Sequence, residues 1–146
     1  MTISVLMIVE DVMRHNPFVV DADATVRDVS RSMLERGIGS ALVRDGNRIV
    51  GILSDRDVLN VMTKKKIFDV DREPITKIMS NRVHFIGAEA DVGKAKQVME
   101  MYGVKKLPVM KDGRIAGIVT LTDIVKEEAE AVETFGDAIN KLVKKL

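Results

Sequence analysis

Ser54-Asp55-Arg56-Asp57 follows directly on the apolar run Ile49-Val50-Gly51-Ile52-Leu53, and Thr120-Leu121-Thr122-Asp123, 66 residues later, follows on Ile115-Ala116-Gly117-Ile118-Val119. In each copy an apolar strand pattern ends on a hydroxyl residue, a carboxylate stands three positions on, and an apolar, helix-like segment comes next. Two readings are open. Such a junction can hold a polyhydroxylated ligand. It is also the pattern of an ordinary helix cap, with Asp in place of the usual Glu or Gln.

Working outward, the likeness extends well beyond the junctions. At the same offset residues 12–59 lie on residues 78–125 without a gap, and identical pairs include Met13 with Met79, Gly37 with Gly103, Arg48 with Arg114, Gly51 with Gly117 and Asp57 with Asp123. Most of the remaining apolar positions exchange one apolar residue for another. The chain therefore carries an internal duplication.

Each copy reads strand–helix–strand–strand–helix. In the first, Phe18-Val19-Val20 is a short strand after Pro17. Thr25-Val26-Arg27-Asp28 starts a helix whose stripe is Val26, Val29 and Met33, and Gly37 ends it. Ala41-Leu42-Val43 is a strand, Asp45-Gly46-Asn47 a hairpin turn, and Arg48 to Leu53 the return. In the second copy Phe85-Ile86, a helix capped by Asp91 with Val92, Ala95 and Met99, Gly103, Leu107-Pro108-Val109 and Lys111-Asp112-Gly113 take the same places. Pro108 predicts that its strand lies at a sheet edge. Lys64-Lys65-Lys66 to Glu73-Pro74 reads as a surface connection. Beyond the repeats Val132, Phe135, Ile139, Leu142 and Leu146 step by three or four along an amphipathic helix, which Gly136 is expected to interrupt. A helix packed on its own core and an oligomer contact are both open for it.

Composition narrows the function. Of 146 residues 46% are hydrophobic and 31% charged, and Lys plus Arg (23) nearly balance Asp plus Glu (22). No global field favours nucleic acid, and four Phe, one Tyr and no Trp leave few stacking platforms. The absence of cysteine excludes disulfides, thiolate metal sites and cysteine nucleophiles. It fits an intracellular protein, expected in the cytoplasm. No apolar run approaches the roughly 20 residues of a membrane helix; Val5-Leu6-Met7-Ile8-Val9 is too short and lacks a basic leader. There is no nucleophile–base pair, metal-ligand spacing or GxxxxGK loop, which argues against an enzyme. His15 and His84 show no metal-site spacing, and the nine Met residues suit core filling.

The tandem repeat, the Met that opens each copy, the Asp/Gly turn before Arg-Ile-x-Gly-Ile and the closing Ser/Thr-x-x-Asp together resemble a pair of cystathionine-β-synthase (CBS) domains. The resemblance covers roughly residues 8–128. It implies an α/β (α+β) fold of two β-α-β-β-α repeats, at 8–66 and 74–128, packed through their sheets about a pseudo-twofold axis. A linker at 67–73 and a C-terminal amphipathic helix at 129–146 complete the chain. It also implies two clefts that bind adenosine-containing nucleotides (AMP, ADP, ATP), or S-adenosylmethionine or NAD(H), with no further cofactor. The module would be non-catalytic. It would pair into a disc-shaped homodimer of four repeats and signal by conformational change to a regulated protein partner absent from this chain.

By the same resemblance Asp57 and Asp123 are the expected ribose binders, since a carboxylate can accept from adjacent ribose hydroxyls. Ser54 and Thr120 would meet phosphate at helix N-termini. Arg56 would supply a cation for which Thr122 is no substitute, making the Asp57 site the better one for phosphate. Val19 and Val20 with Gly39, Ser40, Ala41 and Leu42, and Phe85 and Ile86 with Lys106, Leu107 and Pro108, would form the adenine slots. Simple core positions are the alternative for Val19, Val20, Phe85 and Ile86. Lys105 and His15 are further candidates for phosphate. A nucleic-acid-associated regulator and a structural dimer with empty clefts remain as competing functions.

Overall fold

Residues 6–64 and 69–146 are described by the computed structural model. Lys65 and Lys66, the first part of the expected linker and Val5 lie outside them. The elements run α1 (Val9–Val12), β1 (Arg14–His15), β2 (Val19–Asp21), α2 (Val26–Arg36), β3 (Ser40–Asp45), β4 (Arg48–Ser54) and α3 (Asp55–Lys64). A 3-10 turn (Ile75–Lys77) precedes β5 (Ile86–Gly87), α4 (Val92–Tyr102), β6 (Lys106–Lys111), β7 (Arg114–Thr120) and α5 (Leu121–Lys144). The fold is α+β, with two small sheets and, among the described residues, no helix long and apolar enough to cross a membrane.

Local chemistry explains the elements. The Thr25 hydroxyl accepts from the Asp28 N–H at 3.2 Å and Asp91 Oδ1 accepts from the Gly93 N–H at 2.7 Å, so α2 and α4 begin on side-chain caps. Both end on a glycine in the left-handed region, Gly37 (φ 64°) and Gly103 (φ 65°), whose N–H returns to the last helical turn. Their buried stripes are Val26, Val29 and Met33, and Val92, Ala95 and Met99. The hairpins β3–β4 and β6–β7 close through Gly46-Asn47 and Asp112-Gly113, and each carries a register shift at the same place, Val43/Arg44 and Val109/Met110.

The compact units differ from the sequence repeats. One comprises Pro17–Val83; the other combines the chain up to Asn16 with His84–Leu146. In the first, β2 pairs parallel with β3, and β3 antiparallel with β4. Ile75 and Met79 pack on its core of Val26, Val29, Met33, Ala41, Val43 and Leu53, and Ser80 bridges Ile52. In the second, the sheet order is β1-β7-β6-β5. Val9, Val12 and Met13 lie in a core with Ile86, Val92, Met99, Leu107, Val109, Val119 and Ile124. The segment that opens each sequence copy thus completes the sheet of the other copy. Repeat periodicity alone does not reveal this.

Two expectations are corrected. Pro108 does not mark an edge, because β6 runs between β7 and β5. In the first unit the Leu42 N–H donates to the Phe18 carbonyl at 2.8 Å and Val19 pairs with Leu42. Proline removes that donor, and pairing in the second unit starts one position later, at Ile86 with Val109. The proline is accommodated by shortening the neighbouring strand. Gly136 does not interrupt its helix: α5 runs unbroken from Leu121 to Lys144, joining the closing repeat helix to the C-terminal segment.

A small clamp recurs in both units. The Arg36 guanidinium lies over the Phe18 ring at 4.5 Å, and at the matching positions His84 stacks on Tyr102 at 3.6 Å. Different chemistry ties the last turn of the first long helix to the approach of the parallel strand.

The paired glycines mark close approaches. A Cβ on Gly51 would run into the Met79 thioether, whereas one on Gly117 would run into the backbone carbonyl of Arg14 and the Met13 side chain. A thioether can swing aside; a carbonyl within the β1–β7 ladder cannot. Gly117→Ala should therefore destabilise the protein more than Gly51→Ala, by about 1–3 kcal/mol, measured by thermal and urea denaturation of both variants.

Candidate functional site

The two junctions that dominate the sequence are strand-to-helix turns with no intervening residue: β4 ends at Ser54 and α3 starts at Asp55, and β7 ends at Thr120 where α5 starts at Leu121. The first turn of a helix has amide donors without intrahelical partners. At the first junction the Ser54 hydroxyl accepts from the Asp57 N–H at 3.2 Å, and the Asp57 carboxylate accepts from the Ser54 N–H at 2.8 Å. This is a complete reciprocal cap. At the second, Thr120 Oγ1 accepts from the Asp123 N–H at 3.1 Å. The Asp123 carboxylate is instead held by Arg14, whose Nε donates to Oδ2 at 2.8 Å and Nη2 to Oδ1 at 3.3 Å.

Strand pairing gathers the candidate residues of each unit around its junction. Ser40 sits opposite Ser54 and Ala41 opposite Leu53; the Asp55 N–H donates to the Gly39 carbonyl at 3.0 Å. Val19 and Val20 lie on the neighbouring strand beside Leu42 and Val43. In the other unit Lys106 faces Thr120, Leu107 faces Val119, and the Leu121 N–H donates to the Lys105 carbonyl at 2.9 Å. The side chains divide by burial. Ala41, Ile86 and Leu107 belong to the cores, and Leu42 and Pro108 are buried. Val19, Val20, Gly39, Ser40 and Lys106 are half-buried, and Phe85 is exposed. Arg56 is exposed on the first turn of α3, beside half-buried Asp57. His15 is exposed on β1, paired with Gly117.

Arg14 is the residue that the sequence did not reveal. It stands in the first sequence copy, where its match at the 66-residue offset is Ser80. Yet β1 pairs with β7, Arg14 opposite Ile118, and this brings the guanidinium to the second junction. Thr122 supplies no cation at the second junction, but Arg14 brings one there from 109 residues away.

Arg14 also sets the electrostatics. Its hydrogen bonds hold the Asp123 carboxyl below the usual carboxylate range; partial burial works against this, and the Thr120 contact adds to the lowering. Arg14 in turn is raised by Asp123.

With this geometry in view, a CBS domain family model matches residues 9–64 and again 75–130. The chain belongs to the CBS-domain family. It carries the domain as a tandem pair, and CBS domains are regulatory ligand-binding modules rather than catalytic ones. Its sequence is 32% identical over 127 residues to an A-adding tRNA nucleotidyltransferase of Aquifex aeolicus, covering 86% of this chain but only 15% of that protein. It is 26% identical over 131 residues to an uncharacterised protein of Methanocaldococcus jannaschii, covering 88% of this chain and 70% of the relative. Among solved structures it is similar to a CBS domain pair in complex with 5′-methylthioadenosine and S-adenosylmethionine, with a TM-score of 0.75 and 20% identity over 86% of this chain and 98% of that one. That likeness is one of fold.

Arg14→Ala should move the Asp123 carboxyl titration to higher pH, read by carboxyl carbon NMR. The sign for stability follows. The folded value of Asp123 lies below the unfolded value of about 3.9. The stabilisation from the pair is therefore present above that value and lost as pH falls through the folded one. Removing the guanidinium should flatten this acid-side dependence in urea titrations.

Proposed function

We propose that this CBS pair is a sensor of adenosine-containing ligands, with Asp57 and Asp123 receiving the ribose hydroxyls at the two strand-to-helix junctions. The observation that carries the reading is the recurrence of hydroxyl-x-x-Asp at the end of the same hairpin in both units. A cap alone does not require the same carboxylate twice. The Asp57 carboxylate accepts one hydrogen bond from Ser54, and a carboxylate has about four acceptor positions, so capping leaves room for a ribose. The adenosine ligands of a structurally similar CBS pair support the same ligand class.

The junctions differ in charge. At the first, exposed Arg56 adjoins Asp57 and suits a phosphorylated adenosine such as AMP or ATP. At the second, Arg14 is already neutralised by Asp123. That favours an adenosine without phosphate, such as S-adenosylmethionine. Binding would alter the module's conformational equilibrium, and a protein partner with different affinity for the two states would read the change.

Calorimetric titration of AMP, ATP and S-adenosylmethionine into wild type, Asp57→Ala and Asp123→Ala tests this. Losing a hydrogen bond to a charged group should weaken binding by about 10- to 100-fold. Asp57→Ala should affect ATP most, and Asp123→Ala should affect S-adenosylmethionine most. Full-strength binding in both variants would remove the ribose assignment; no binding of any of the three to wild type would remove the adenosine reading.

A further inference from the structure

The Asp123 carboxylate already has a partner within the chain. The Arg14 fork takes both of its oxygens, Nε donating to Oδ2 at 2.8 Å and Nη2 to Oδ1 at 3.3 Å. Two adjacent ribose hydroxyls make the same demand, two donors side by side on one carboxylate. Guanidinium and diol are therefore alternative partners for Asp123. The Asp123 side chain is 19% exposed and that of Arg14 60%. The guanidinium can swing out into water while the carboxylate stays in place.

The fold does not require this pair. At the matching place in the other unit Ser80 stands for Arg14, and Ser80 and Ile52 exchange backbone hydrogen bonds of 3.0 and 2.9 Å. Serine brings no charge to that sheet edge, which closes through its backbone. Arg14 likewise pairs through its backbone with Ile118, and the Thr120 hydroxyl caps α5 without help from the Asp123 carboxylate. At the first junction the Asp57 carboxylate accepts from the Ser54 N–H through Oδ2, and among the described residues it has no ion pair.

We propose that Arg14 is a built-in competitor for the Asp123 carboxylate, which a ribose must displace to bind at the second junction. The proposal rests on the reading of Asp123 as a ribose acceptor. It makes the two junctions unequal, since a ligand displaces a cation at Asp123 and none at Asp57. It also ties occupancy to β1. That strand has two residues and lies at the edge of its sheet, and the chain leaves it through Asn16 in the left-handed region (φ 54°). With Arg14 displaced, β1 loses its side-chain tie to α5 and keeps its backbone pairs with Ile118 and Gly117. A ligand at the second junction thus loosens β1.

Adenosine, which carries no charge, is the probe. Calorimetric titration in an Asp57→Ala background reports on the second junction. There Arg14→Met, which keeps an apolar stem and removes the donors, should tighten binding by about 2- to 5-fold, the modest size expected of a half-exposed ion pair. Adding Asp123→Ala should abolish that gain. Raising sodium chloride should tighten adenosine binding while Arg14 is present, because salt screens the competing pair, and should change it less in Arg14→Met. In the unaltered chain, nitrogen-15 NMR should show the Arg14 Nε–H exchanging with water faster once adenosine is bound. Weaker binding in Arg14→Met overturns the proposal and makes Arg14 a ligand contact. Unchanged affinity also overturns it and leaves the pair as a tie between β1 and α5. If adenosine binds neither the Asp57→Ala background nor its Arg14→Met derivative, Asp123 is no ribose acceptor and the proposal falls with that reading.

Discussion

A helix that follows a strand without a loop leaves the amide donors of its first turn to be met by capping side chains, neighbouring backbone or water. That demand falls on Ser54 and Thr120, and both meet it through a hydroxyl. The hairpins are registered on the same two residues: Ser40 faces Ser54 and Lys106 faces Thr120. Fixing the junction therefore fixes where the backbone of β3 or β6 begins beside it. It also places a carboxylate one turn into the helix, at the open end of the sheet. The candidate site is a consequence of how the strand becomes a helix, and the proposed ligand would draw on the same atoms as the cap.

The two copies meet the demand differently after the hydroxyl. Asp57 turns back to its own Ser54 amide, so its charge is spent locally on the cap. Asp123 turns outward to Arg14, so its charge is spent on joining the end of β7 to β1. Duplication preserved the backbone geometry and allowed the carboxylates to diverge. The same divergence appears in the ring clamps, where a cation over Phe18 in one unit answers a stacked His84 and Tyr102 in the other.

Much of this was legible in the sequence because it is local. The caps at Thr25 and Asp91, the glycine stops at 37 and 103, the helix stripes and the hairpin turns all depend on residues a few positions apart, and each lies where its pattern put it. Three features were not legible because they are long-range. Nothing in the repeat shows that Arg14 and His15 pair with β7. The edge rule for Pro108 considers only the missing donor, whereas the structure shortens β5 to accommodate it. Ala41, Ile86 and Leu107 carry the same apolar character whether they line a slot or fill a core, and burial places them in the cores.

The exchange of opening segments has a consequence for the order in which this chain can fold. During synthesis the sheet of Pro17–Val83 has all its strands once Ser54 has emerged, and its remaining pieces follow closely. The other sheet must wait. Arg14 and His15 are made first, and Ile118 and Gly117, with which they pair, come more than a hundred residues later. Until then the apolar side chains of Val9, Val12 and Met13 have no core to enter, and the long loop that α1 and β1 close lowers the rate at which they dock. The unit that holds Arg14 and His15 is thus the last to be finished, and a product that stopped before β7 would keep the other sheet while leaving β1 unpaired.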